Sequence, residues 1–151
     1  MSDDVVSVIP ADPHWQPGKA AAGRAAALAA TLTPGDDVRI ETTWHDRIAV
    51  IDCAENLQRI TCPACHASIG IEWFADLLEH NHMRGFDALD VTVPCCGAET
   101  TLDAIGYDWP CGFARFEIAI WTPDRDWFTD AELAGFAEAL GHPVRQVLAH
   151  I

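Results

Sequence analysis

Five short stretches of the chain predict β-strands, some by an alternation of apolar and polar residues and others by a run of β-branched or apolar ones. In the clearest stretch, every second side chain from Ala114 to Ile120 is apolar and faces the same way. Between two of the stretches, residues 44–47 are rich in polar side chains and predict the connection of a hairpin. The five predicted strands cover residues 5–9, 38–43, 48–53, 113–121 and 144–151.

Two other stretches repeat at the helical period. Residues 19–32 are rich in alanine, a strong helix former, and a Pro-Gly pair soon after them ends the helix. Thr129 and Glu132 have the spacing of a capping box, and apolar side chains follow at the i, i+3, i+4 and i+7 positions. Gly141 in the C′ position is expected to end this second helix.

The order of these elements predicts the fold class. Outside residues 54–112, the order is strand, helix, strand, strand, strand, helix, strand, which contains a βαββαβ unit. It predicts an α+β protein with a ferredoxin-like core. Residues 54–112 are expected to form an insertion in that core, with a helix over 71–78 and a strand over 89–93. A length of 151 residues is typical of one domain, so we expect residues 1–151 to form a single domain.

Four of the six cysteines fall into two short clusters inside the insertion. The first is Cys-Pro-Ala-Cys at residues 62–65, and the second is Pro-Cys-Cys-Gly at residues 94–97. Two cysteines at the first spacing can bind one ion when the turn between them directs backbone N–H groups at the sulfurs. Zinc prefers four ligands in a tetrahedron. The pattern therefore predicts a structural Zn2+ site with four cysteine ligands: Cys62, Cys65, Cys95 and Cys96.

The Cys-Pro-x-Cys half resembles the knuckle of the zinc-ribbon family, and the resemblance is limited to the two clusters. It implies a zinc-ribbon-like subdomain in which two such turns hold one ion. In that family glycine usually follows the second cysteine, whereas His66 takes this place here. When the second cluster is aligned on the same pattern, Val93 takes the position of the first cysteine and Cys96 that of the second. Cys95 can then serve as the fourth ligand if the turn is shifted. The rivals of Cys95 as fourth ligand are Cys111, His66, His80 and His82.

Signals for catalysis are weak. A site with four thiolates has no open coordination position for water, which favours structural over catalytic zinc. A His-Glu-x-x-His motif is absent from the sequence. His45 and Asp46 are adjacent in a predicted turn, where a solvated role is favoured over an acid–base pair, and Cys53 is expected to be a small buried side chain. The sequence therefore predicts neither catalytic nor cofactor-binding residues.

Charge and aromatic content restrict the partners. The chain carries 23 acidic residues and nine Lys and Arg, for a net charge of −14, and the basic residues are not clustered. Nucleic-acid recognition needs concentrated positive charge, so a protein partner with a basic surface is favoured over nucleic acid. Trp109, Trp121 and Trp127, near Phe128, either form an interaction surface or cover the seam between insertion and core.

The sequence contains no apolar stretch typical of a membrane span or a targeting peptide. We therefore expect a cytoplasmic protein whose remaining cysteines are reduced thiols rather than disulfides. The expected function is a non-catalytic protein-binding, adaptor or immunity-like module. The alternative is an enzyme with its site in the cleft between the zinc insertion and the sheet. A homo-oligomer is compatible with either function.

Overall fold

The computed structural model of the chain describes residues 4–51, 58–81, 85–108, 111–125 and 127–150. These residues form nine strands and three α-helices, which confirms the predicted α+β class. In chain order the elements are β1 (Asp4–Pro10), α1 (Lys19–Leu32), β2 (Arg39–Ile51), β3 (Ile60–Thr61), β4 (Ser68–Ile69), α2 (Ile71–Asn81), β5 (Asp90–Thr92), β6 (Glu99–Thr101), β7 (Gly106–Tyr107), β8 (Gly112–Trp121), α3 (Asp130–Leu140) and β9 (Val144–His150).

The four long strands form one antiparallel sheet in the order β2-β8-β1-β9. Helix α1 joins β1 to β2, and α3 joins β8 to β9, so each helix connects two strands that have a third strand between them. The short strands form two further sheets, one in the order β4-β3-β7 and one of β5 and β6. The residues between β2 and β8 therefore add their own small sheets to the large one.

The helices α1 and α3 pack on one face of the large sheet and bury what we call the helix-side core. Alternate residues of the central strands point into it, among them Val6 of β1 and Phe116 and Ile118 of β8, all fully buried. The buried residues of α1 are all alanines, so its backbone lies close to the sheet. Burial of large apolar side chains stabilises this core by about 1.5–3 kcal/mol each.

The opposite face of the sheet packs at one end against residues 60–107, and we call this contact the insertion-side core. Phe113 of β8 lies at its centre, with ring centroids 6.5 Å from Phe74 of α2 and 6.2 Å from Phe86. Two residues of the cysteine-bearing turns, Cys62 and Val93, are buried in the same core. The candidate metal region therefore shares a hydrophobic core with the sheet.

Gly112, at the start of β8, lies where side chains from three neighbouring strands come close together. A Cβ at this position would lie 2.7 Å from Cδ1 of Ile9, 2.8 Å from Cγ2 of Val147 and 3.0 Å from Cβ of Ile51. Carbon atoms do not pack at such distances, so the position requires glycine. Side chains from three strands converge there because no side chain of residue 112 separates them.

Several predicted helix ends are confirmed. The bounds of α1 agree with the predicted residues, and α2 and β5 lie where a helix and a strand were expected in the insertion. The capping box of α3 is formed: Thr129 Oγ1 accepts from the N–H of Glu132 at 3.2 Å, and the Glu132 carboxylate accepts from the N–H of Thr129 at 2.8 Å. Gly141 ends α3 in the left-handed conformation, with φ of 79°.

The predicted hairpin at residues 44–47 is wrong, because β2 continues through them as one strand. Its pairing with β8 is regular up to Trp44 opposite Phe116 and resumes at Ala49 opposite Ala114, so the extra residues of β2 bulge out. Within the bulge, the backbone N–H and C=O of Ile48 both bond to Phe86 of the insertion, at 3.0 and 2.7 Å. The polar residues that resembled a turn instead let the strand redirect its backbone groups to a second partner.

Candidate metal centre

The first cysteine cluster forms a tight turn between β3 and β4, and we call residues 60–69 the first knuckle. The N–H of Cys62 donates to the carbonyl of Ala67 at 2.9 Å, and the N–H of His66 donates back to the carbonyl of Cys62 at 3.0 Å. His66 has a φ of 63°, in the left-handed region that glycine occupies most easily. The departure noted in the sequence thus leaves the turn intact, with histidine in the left-handed position.

The second cluster forms the same turn between β5 and β6, and we call residues 91–100 the second knuckle. The N–H of Val93 donates to the carbonyl of Ala98 at 3.0 Å, and the N–H of Gly97 donates to the carbonyl of Val93 at 3.0 Å. Gly97 has a φ of 72°. The hydrogen bonds confirm that Val93 occupies the position that Cys62 holds in the first knuckle.

The two knuckles are one local structure repeated 31 residues apart, and their cysteines occupy different positions in it. Both have a cysteine at the end of the turn. In the first knuckle the other cysteine, Cys62, begins the turn. In the second knuckle the other cysteine, Cys95, lies inside the turn, one residue before its last cysteine. The equivalent pairs are Cys62 with Val93, Ala64 with Cys95, Cys65 with Cys96 and His66 with Gly97.

The structure brings the four predicted cysteines together, with all Sγ atoms within 4.8 Å of one another. Across the knuckles, the sulfurs of Cys62 and Cys96 lie 3.9 Å apart, and those of Cys65 and Cys95 lie 3.4 Å apart. A regular tetrahedron with metal–sulfur bonds of about 2.3 Å has edges of about 3.8 Å. The spacing of the four thiols therefore suits one tetrahedral ion, and four sulfur donors are a set that zinc binds well.

Backbone N–H groups favour ionisation of one thiol. The sulfur of Cys62 lies 3.5 Å from the N–H of Cys65 and 3.4 Å from the N–H of Ala64. These bonds, that of Cys65 above all, lower the pKa of Cys62 to about 6 against the opposing effect of burial. Loss of hydration and the hydrogen bond to Cys65 raise the pKa of Cys95 to about 12. Several thiolates at these distances repel one another, so a bound cation is needed for all four to ionise.

The four thiols differ in exposure. Cys62 is fully buried at the edge of the insertion-side core, with 0% of its surface exposed. Cys65, Cys95 and Cys96 are exposed. One member of the group, Cys62, is therefore part of the core, while the other three residues are exposed.

The rivals for the fourth position lie elsewhere. Among the described residues, the group of close ligand atoms consists of the four cysteines and does not include His66. His80 donates from Nδ1 to the carbonyl of Asp76 in α2 at 3.0 Å. Cys111 is buried and disulfide-bonded, so the expectation that cysteines outside the metal site are reduced thiols is wrong for this residue. His82 and Cys53 lie outside the described residues.

The predicted acid–base neighbours are not a pair. His45 turns to β8, where its Nε2 lies 3.1 Å from Oε1 of Glu117, while Asp46 is exposed. The carbonyl of His45 accepts from the side-chain amide of Gln16 at 2.9 Å, which fixes the bulge of β2. Glu117 was missed from the sequence because it lies on a different strand, and only the sheet register brings it to His45.

The predicted tryptophan group is divided. Trp127 packs against the helix-side core, and Phe128 is buried within it. Trp121 is on the other face of β8, with the Arg39 guanidinium 5.0 Å from its ring centroid. Trp109 lies outside the described residues. Trp121 and Trp127 therefore belong to different surfaces.

The repeat of the knuckles has a sequence signal that the cysteine spacing alone does not reveal. Four residues of each knuckle recur 31 positions later: threonine, proline, cysteine and alanine, at Thr61, Pro63, Cys65 and Ala67 and again at Thr92, Pro94, Cys96 and Ala98. An alignment of the chain on itself at this offset finds the second knuckle and places Cys95 opposite Ala64.

Comparisons with known proteins add no relative to this picture, since no family model, curated protein or solved structure matches the chain. Within the part of the chain that the structure describes, no helix has the length and apolarity needed to cross a membrane.

Proposed function

We propose that the protein binds one structural zinc ion through Cys62, Cys65, Cys95 and Cys96, in a zinc-ribbon-like insertion. The observation that carries this proposal is the grouping of four sulfurs within 4.8 Å at spacings near those of a tetrahedral site. The insertion, residues 54–112, interrupts a ferredoxin-like core in this proposal. The strand order of the large sheet, with each helix crossing one strand, supports that core.

The proposed ion is structural because the four cysteines leave no coordination position for water or substrate. Its effect follows from where the ligands lie. The first knuckle belongs to the sheet of β3, β4 and β7, and the second belongs to the separate sheet of β5 and β6. An ion with two ligands from each knuckle ties together two small sheets that share no strand pairing among the described residues. Metal-binding energy then becomes folding energy for the insertion.

Metal analysis of purified protein tests this proposal. Reduced protein should contain about one zinc per chain by elemental analysis, because the four thiolates form one tetrahedral set. Cys95→Ser should lose most of it. Ala64→Ser is the matched control, since Ala64 holds the equivalent position in the first knuckle, and this variant should keep its zinc. Absence of metal from the wild-type protein, or full zinc in Cys95→Ser, would contradict the proposed site.

We further propose that the zinc-bound protein acts as a binding or adaptor module, of which an immunity-like protein is one kind, and that its partner is a protein with a basic surface. The support is the net charge of −14. Opposite net charges speed association, and salt screens this attraction over a Debye length of about 10 Å at 0.1 M. Association with a partner isolated from native extract should therefore slow as ionic strength rises. A rate independent of salt would contradict a basic partner surface.

An enzyme is the second candidate function, and one observation favours it. His45 and Glu117 are half-buried and 3.1 Å apart, a geometry in which a carboxylate can orient an imidazole for proton transfer. The corresponding site would lie between the insertion and the sheet. Turnover of a small molecule that is abolished by both His45→Gln and Glu117→Gln would establish this candidate. Turnover that survives both changes would remove it.

A further inference from the structure

The second knuckle departs from the first in a way that moves one ligand towards solvent. The base of the first turn is Cys62, with 0% of its surface exposed, and the base of the second is Val93, with 1% exposed. A cysteine at residue 93 would have been buried like Cys62. Besides Cys96, the second knuckle instead has its cysteine at residue 95, and this residue is exposed. Three of the four proposed ligands are therefore exposed residues.

Two of the exposed cysteines, one from each knuckle, have their sulfurs in close contact. The Sγ atoms of Cys65 and Cys95 are 3.4 Å apart, and both residues are exposed. The sulfurs of Cys62 and Cys96 lie farther apart, at 3.9 Å, and this pair includes the buried thiol. A disulfide has a sulfur–sulfur bond of about 2.05 Å, so the exposed pair needs an approach of about 1.4 Å to form one.

We infer that the metal centre is a peroxide-sensitive switch in which Cys65 and Cys95 join in a disulfide and release the ion. This inference rests on the proposed zinc site. One thiolate attacks an oxygen of hydrogen peroxide, the O–O bond breaks, and a sulfenic acid forms as hydroxide leaves. The second thiolate attacks that sulfur and displaces a second hydroxide. Both hydroxides take protons from solvent, so two sulfurs each lose one electron and one peroxide becomes two waters.

Loss of the ion follows from the number of ligands. The disulfide removes two of four thiolates and leaves Cys62 and Cys96, which do not complete a tetrahedron. The cross-link still joins the first knuckle to the second, so the oxidised protein keeps a covalent tie where the ion had been. A thiol reductant regenerates the four ligands. Zinc occupancy thereby reports the local redox state on an exposed surface of the protein.

The test uses zinc-loaded protein treated with hydrogen peroxide, with a colorimetric zinc indicator and non-reducing peptide mapping. The wild type should release about one zinc per chain and yield one new disulfide, between Cys65 and Cys95. Dithiothreitol with added zinc should reverse both changes. The matched variant is Val93→Cys combined with Cys95→Ala, which returns the ligand to the buried base. Before treatment this variant should bind zinc like the wild type. Under peroxide it should release the zinc about tenfold more slowly, since thiol oxidation depends on exposure.

Three results would overturn the switch: zinc retained after peroxide treatment, a new disulfide between other cysteines, or equal release rates in the variant. In the wild type, the zinc indicator decides the first and peptide mapping the second, even if the variant does not fold. Wild-type protein that holds no metal as isolated contradicts the zinc site and the switch together. Protein that holds zinc and keeps it through oxidation contradicts the switch alone.

Discussion

The helix-side core and the knuckle region are stabilised by different means. The helix-side core joins two helices of eleven and fourteen residues to long strands, and large side chains such as Phe116 and Phe136 are fully buried in it. The knuckles rest on strands of two or three residues, with exposed turns. Such short strands supply few backbone hydrogen bonds. The helix-side core thus relies on apolar burial, while the knuckle region would gain from the proposed metal ion.

Metal removal should have the largest effect and should fall on one side only. Structural zinc contributes apparent binding free energies of about 10–16 kcal/mol in zinc-finger peptides. Chelation should therefore increase amide hydrogen exchange strongly over residues 54–112 and leave α1 and α3 protected. Hydrogen exchange read by mass spectrometry makes the measurement. Exchange that rises equally in the helices would show that the two sides unfold as one unit.

A substitution in the helix-side core should weaken that core without changing the zinc content. Phe136 is fully buried and meets Phe128 at a ring distance of 5.2 Å, so Phe136→Ala leaves a cavity between α3 and the sheet. We expect a loss of about 3–5 kcal/mol in the free energy of unfolding. Denaturant titration gives that loss, and elemental analysis should still find the zinc content of the wild type. Zinc lost from the folded variant would contradict the independence of the two regions.

A smaller effect should appear at acidic pH. Arg125 donates to the Glu132 carboxylate at 2.9 Å, and this bond, together with the Thr129 N–H, lowers the pKa of Glu132 from 4.5 to about 2. A carboxyl group whose pKa is lowered by folding stabilises the folded state at any pH above its ordinary pKa of 4.5. That contribution is lost as pH falls from about 4.5 towards 2. We expect Glu132→Gln to cost about 1–2 kcal/mol at pH 7, after allowance for partial exposure.

The difference in unfolding free energy between Glu132→Gln and the wild type should shrink as pH falls through that window. Protonation of the cysteines also removes metal under acid conditions, but it does so in both proteins. Comparison of the two at each pH isolates the carboxylate. A difference that stays constant from pH 7 to pH 2 would show that Glu132 acts through packing and capping rather than through its charge.

Local patterns in the sequence were sufficient where the interactions are local. The alanine-rich stretch predicted the bounds of α1, because helix propensity and the Pro-Gly stop act over a few residues. The Thr129 capping box and Gly141 were likewise readable, since each joins residues three or four positions apart. The turns of the two knuckles follow the same rule, because their hydrogen bonds join residues four or five positions apart.

Long-range contacts were not readable in the same way. The polar residues 44–47 carry the local signal of a turn, and only pairing with Phe86 and β8 keeps β2 extended through them. The partner of His45 is Glu117, on another strand, and the neighbour in sequence, Asp46, is exposed. In each case a backbone or side-chain group finds its partner far along the chain, and a local window does not contain that partner.

The candidate site divides along the same line. The residues with metal-binding chemistry can be identified without the structure, because thiol type and knuckle spacing are local properties of the chain. Tertiary structure alone decided that Cys95 and not Cys111 joins the group, that Cys62 is buried, and that the sulfurs approach within 4.8 Å. Those distances depend on how two separate small sheets pack on one hydrophobic core, and packing is a property of the whole fold.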